Sequence, residues 1–158
     1  MKRTPLSRGT KTLKRSEFKQ KATPKKKKVR SKLPTVKSMR NKCDKLLTPI
    51  VKAMHPNCML QKAQLCEGMT QVAHHHILKS KSTALRYELE NLIPLCNRCH
   101  MLLHSHESYY SSILVQRKGL EWFESLENKK EAIIKADVHF YIANYARLKE
   151  IHDSLSTD

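Results

Sequence analysis

No run of about 18 apolar residues occurs anywhere in the 158-residue chain, so no transmembrane helix is expected. The N-terminus has charge but no apolar stretch behind it, which argues against a secretory signal. Acids are almost missing from the first 42 residues, where Glu17 stands against 17 Lys/Arg. That segment is also poor in apolar side chains and holds three of the six prolines. It cannot bury enough surface to offset its ordering entropy, and disorder is expected for residues 1–42. An even set of cysteines is lacking too. The five present include a CxxC beside histidines, which favours metal binding in a reducing, intracellular compartment over a disulfide framework.

What remains is enough for one modest domain with a single small core. The formal net charge of +17 is uneven, because residues 43–158 hold 14 Lys/Arg against 13 acids. The leader is therefore a polycation and the rest is nearly neutral. Its run Lys25, Lys26, Lys27 and Lys28 would release counterions from DNA phosphates and give salt-sensitive affinity. Such contacts position a protein without reading bases. In a eukaryotic setting PKKKKVR would instead suit a localisation signal.

The chain is organised around residues 73–104, AHHHILKSKSTALRYELENLIPLCNRCHMLLH. Six of the nine histidines fall between His74 and His106. His100 and His104 are four apart in a stretch that reads as a helix, so both imidazoles can aim at one point. Neutral imidazole suits divalent transition metals. A third ligand from the 74–76 cluster would leave one coordination position open, as catalytic sites do. Adjacent strand residues point to opposite faces, so a His-His pair can divide into ligand and general base.

His75-His76, Asn91 and the final His-x-x-x-His resemble the HNH nucleases, whose ββα-metal motif is a hairpin followed by a helix. Their intervals are similar to those of the colicin-type DNases in that superfamily. The resemblance implies that His75, His100 and His104 hold a divalent metal. It also implies that His76 deprotonates the attacking water and that Asn91 holds the loop orienting His76. The wider pattern, across residues 43–128, is similar to phage recombination endonucleases of the NinG/Rap type, for which the location would be the host cytoplasm. Arg86 matches the family's R-x-x-x-x-N arrangement and, with Lys79 and Lys81, would contact phosphates beside the scissile bond.

The family's usual knuckle pairs two CxxC motifs. This chain departs from it, because the fourth position of the motif that begins at Cys58 is Gln61. Cys66 would supply the missing thiolate, giving a structural zinc site of Cys58, Cys66, Cys96 and Cys99. Cys43 or His55 are the alternatives, as is a degenerate knuckle.

The expected fold is α+β: a small ββα-metal core with a zinc knuckle, flanking helices and the basic arm. The boundaries are 1–42 for the arm, 43–128 for the nuclease domain and 129–158 for a C-terminal amphipathic helix. Asp44 is placed to cap a helix over 44–54, with Pro49 kinking or shortening it. The first hairpin strand is expected over 70–78. Gly119 should stop a helix begun near Ser108. The helix expected over 130–155 carries an apolar stripe that packs within the chain or, alternatively, forms a homodimer.

The functional expectation is a metal-dependent DNA endonuclease using Mg, Mn, Ni or Zn, acting on branched or recombining phage DNA. Two rivals are a non-catalytic zinc-stabilised DNA-binding module and an RNase of the same type.

Overall fold

The computed structural model describes residues 33–61 and 66–156. Lys25, Lys26, Lys27 and Lys28 and most of the basic arm lie outside that range. Helix α1 spans Val36–Met54, strand β1 Val72–His75 and strand β2 Leu92–Leu95. Helices α2 (Asn97–Ser105), α3 (Glu107–Lys118), α4 (Leu120–Lys130) and α5 (Val138–Ser154) follow. The described residues form an α+β arrangement with one small antiparallel hairpin.

The hairpin divides the interior. Val72 pairs with Leu95, Ala73 with Pro94, His74 with Ile93 and His75 with Leu92. Paired residues share a face and successive pairs alternate. Ala73 and Leu92 therefore join a core with Met39, Cys43, Leu47, Ile50 and Val51 of α1 and Tyr141 and Leu148 of α5. On the other face, Val72, Ile93 and Leu95 pack with Leu103 of α2, Leu114 of α3 and Cys58, Cys66, Cys96 and Cys99. Two short strands cannot hold a fold alone. Here each face is covered by a helix pair.

Several expectations move. Helix α1 starts six residues before the expected domain boundary at residue 42, and Thr35 rather than Asp44 caps it, its Oγ1 accepting from Ser38 N at 3.2 Å. Asp44 lies mid-helix, where its carboxylate turns to Arg86 and Tyr87. Pro49 sits inside α1 on its exposed side without ending it. The first strand is half the expected length, because the backbone leaves the ladder after His76 N donates to Asn91 O. Helix α5 begins only at Val138, where the Asp137 carboxylate accepts from Phe140 N at 3.0 Å. Ile134, read as part of the helix stripe, lies before it and is 40% exposed. The apolar side of α5 is taken up by α1 within the chain. Gly119 does stop α3, at φ +96, a conformation that a Cβ would strain. Among the described residues no helix is long and apolar enough to cross a membrane.

Candidate metal centres

Helix α2 contributes two ligands to each of two groups. Its N-cap, Cys96, and Cys99 lie in the first turn, while His100 and His104 lie in the turns after it.

The cysteine group is Cys58, Cys66, Cys96 and Cys99, whose sulfurs all lie within 4.8 Å of one another. Cys66 Sγ and Cys96 Sγ are 4.0 Å apart. A zinc–sulfur bond of about 2.3 Å implies a tetrahedral S···S edge of about 3.8 Å, so the set fits a four-thiolate ion. The segment carrying Cys58 is held by Met59 N donating to Pro94 O and Cys58 N to Gly68 O, both at 2.8 Å. Two backbone N–H groups face sulfur: Cys99 N reaches Cys96 Sγ and Gly68 N reaches Cys66 Sγ, each at 3.4 Å. Burial pushes the Cys58 thiol up to about 11 and raises Cys99 as well. Burial also works against ionising Cys96. There the hydrogen bonds from the backbone of Cys99 and Glu67 and from the neighbouring thiols together outweigh it and bring the thiol down to about 7. Cys66 is the fourth member; Cys43 lies apart, its Sγ donating to Tyr141 O in the other core, and His55 is not in the group.

The histidine group is His74, His100 and His104, with one ring nitrogen of each within the same 4.8 Å limit. His100 Nε2 and His104 Nε2 are 3.1 Å apart. Two nitrogens about 2.0–2.1 Å from one tetrahedral ion would be separated by about 3.4 Å, so these rings need only a small adjustment to share it. Burial, and then the two neighbouring imidazoles, lower His74 to about 3, and burial lowers His100. The buried member is therefore a neutral donor, as ligation requires. His74 is buried, His100 partly so and His104 exposed, so the group opens to solvent on the α2 side.

The member from the cluster is His74, not His75 as expected. Residues 72 and 74 share the face on which α2 lies, and His75 is turned to the other face. There its Nε2 donates to Arg86 O at 2.9 Å. A carbonyl only accepts, so Nε2 carries the proton and Nδ1 is left as the acceptor. Burial lowers His75, against the opposing effect of that hydrogen bond.

His76, the expected base, has its ring against Trp122 (centroids 4.8 Å) and Phe123 (5.9 Å). It lines a cleft of about 200 Å³ with Ile77, Lys81, Glu107, Phe123 and Glu127. Burial lowers it also, opposed by Glu127 and Glu107.

Asn91 is fully buried. Its Oδ1 accepts from Ile77 N at 2.8 Å, and its Nδ2 donates to Ile77 O at 2.9 Å and Leu85 O at 3.1 Å. One side chain closes both ends of the loop leaving β1. Arg86, expected on phosphates, is instead committed to Asp44 at 2.7 Å with a side chain 12% exposed. The bidentate fork is spent inside the fold. Lys79 and Lys81 are exposed, and the charge of Lys79 is felt at His75.

No family model, no curated protein and no solved structure matches this chain.

Proposed function

We propose that the protein is a metal-dependent endonuclease of HNH type, with zinc in the four-cysteine group and a divalent metal at His74, His100 and His104. One observation carries the reading. A three-histidine group with a solvent-facing side includes His74, whose neighbour in sequence, His75, donates from Nε2 to a backbone carbonyl. The hairpin followed by α2 agrees with the ββα arrangement that the sequence resemblance implies. The roles move one residue back from those the resemblance first implied: His74 is the ligand and His75 the base.

His74, His100 and His104 would hold a divalent ion that would supply Lewis-acid stabilisation of the scissile phosphate and the departing 3′ oxygen. The protein's own groups do the rest. His75 Nδ1 takes a proton from the attacking water, a role open to an imidazole that burial keeps neutral. Asn91 holds the loop that carries the Arg86 carbonyl, so it acts on His75 from a distance. Lys79 and Lys81 face solvent near this end of the hairpin and meet phosphates flanking the cut. By the family resemblance the products carry 5′ phosphate and 3′ hydroxyl ends. One site cuts one strand, and the preference for branched or recombining phage DNA rests on that likeness alone.

The test is cleavage of supercoiled plasmid and a branched oligonucleotide with Mg²⁺, Mn²⁺, Ni²⁺ or Zn²⁺, comparing wild type with His75→Ala and His76→Ala. Metal-dependent nicking lost in His75→Ala and retained in His76→Ala supports the assignment. Loss only in His76→Ala would return the base to that residue. Tight DNA binding without cutting under every metal would leave a zinc-stabilised binding module, and cleavage confined to ribo-oligonucleotides would make it an RNase.

A further inference from the structure

The carbonyl that holds His75 belongs to a segment fixed at three consecutive carbonyls. Asn91 Nδ2 donates to Leu85 O at 3.1 Å, His75 Nε2 to Arg86 O at 2.9 Å, and an Arg147 guanidinium nitrogen to Tyr87 O at 2.8 Å. The side chains of the same segment are tied to α1. Arg86 donates to one Asp44 oxygen at 2.7 Å, and the Tyr87 hydroxyl donates to the other at 3.2 Å. Arg86 Nε closes the triangle on that hydroxyl at 3.1 Å. From α5, Arg147 also meets Glu88 and Asn144, each at 3.2 Å. The Tyr87 ring, 1% exposed, packs edgewise on Tyr141 with centroids 6.0 Å apart.

We infer that Asp44 and Arg147 are positioning residues for His75. Helices α1 and α5 clamp residues 85–88, the clamp aims the Arg86 carbonyl, and the carbonyl keeps His75 as the Nε2–H tautomer with Nδ1 free. The inference rests on the reading of His75 as the base and adds how that base is held. A neutral imidazole donates from one nitrogen only, so which nitrogen is basic follows from which one has an acceptor to face. Arg86 would then serve through its backbone, its side chain being the lever by which Asp44 holds it. A mere packing role predicts something different: lower stability with the His75 tautomer unchanged.

The experiment is ring ¹⁵N spectroscopy of the zinc-loaded full-length protein at one fixed pH, with the His75 signals assigned by their loss in His75→Ala. Wild type should show Nε2–H. Asp44→Ala and Arg147→Ala should each at least double the population of the other tautomer. The nicking rate should fall about tenfold or more, part of the general-base contribution, while KM for DNA and metal stoichiometry stay unchanged. Asp44→Glu should recover part of both. Should Asp44→Ala not fold, Tyr87→Phe removes only the hydroxyl link and tests the same lever. His75 signals unchanged in the folded variants would overturn the clamp. The two readings fail separately. A wild type that never cuts DNA sinks the nuclease while the tautomers still decide the clamp; an active enzyme with unmoved tautomers sinks the clamp alone.

Discussion

The two candidate metal centres draw on one helix and differ in what surrounds it. At the first turn of α2, Cys96 and Cys99 meet Cys58 and Cys66, and three of these four are buried. One turn on, His100 and His104 meet a single buried histidine, and the side away from the hairpin is open. Four thiols complete a tetrahedral set; three imidazoles leave a position for water or substrate. Ligand count and burial thus separate a centre suited to holding the chain together from one suited to chemistry, although their ligands are neighbours in sequence.

The contrast breaks most sharply at Cys96. A structural zinc contributes roughly 10–16 kcal/mol of apparent binding energy in small domains, comparable to a whole domain's stability. Cys96→Ser should therefore cost the fold itself, read as lost helical circular dichroism and lost zinc. A well-folded variant with unchanged zinc would remove the distinction. His100→Ala should do the reverse: plasmid nicking abolished, one metal lost of two, and the melting temperature within a few degrees of wild type. A collapse of the fold in that variant would mean that the histidine centre is structural as well.

Acid should sharpen the comparison next. Burial lowers His74 to about 3 and lowers His75, His76 and His100 below 6.5, the value they take when unfolded. The unfolded chain therefore binds more protons than the folded one below that pH. Stability from the neutral imidazoles is full above about 6.5 and is lost as the pH falls toward the folded values. Urea midpoints of protein carrying zinc in the four-cysteine group alone should be lower at pH 5.5 than at pH 7.5, and equal midpoints would contradict the burial of these rings. The smallest effect is expected at His76. Its contacts with Trp122 and Phe123 amount to about 1 kcal/mol, so His76→Ala should lower the midpoint slightly and leave nicking intact. Abolished nicking in that variant would restore His76 as the base.

Much of this was legible in the residues. The spacing of Cys96, Cys99, His100 and His104 places them on a helix start in the order found, and Gly119 marks a helix end. Asn91 was expected to hold the loop that orients His76, and its side chain bonds the backbone of Ile77 and Leu85. The phase of the first strand was not legible. Thr70 to Leu78 reads TQVAHHHIL, in which Val72 and Ala73 are both apolar and three histidines follow, so no alternation says which parity faces α2. A shift of one residue exchanges His74 for His75. The fate of Arg86 was hidden for a similar reason, since its partner Asp44 lies 42 residues away.

By itself, then, the sequence determined the chemistry in hand: four thiols, a histidine cluster, an Asn at its interval and a nearly acid-free basic leader. These are local facts, set by residue type and by the fixed periods of helix and strand. Only the tertiary structure decided which histidine turns to α2, which is held by a carbonyl, and that the Arg86 side chain is used inside the fold. Those choices follow from which face of a two-stranded hairpin each helix pair covers, and from contacts between residues far apart in the chain.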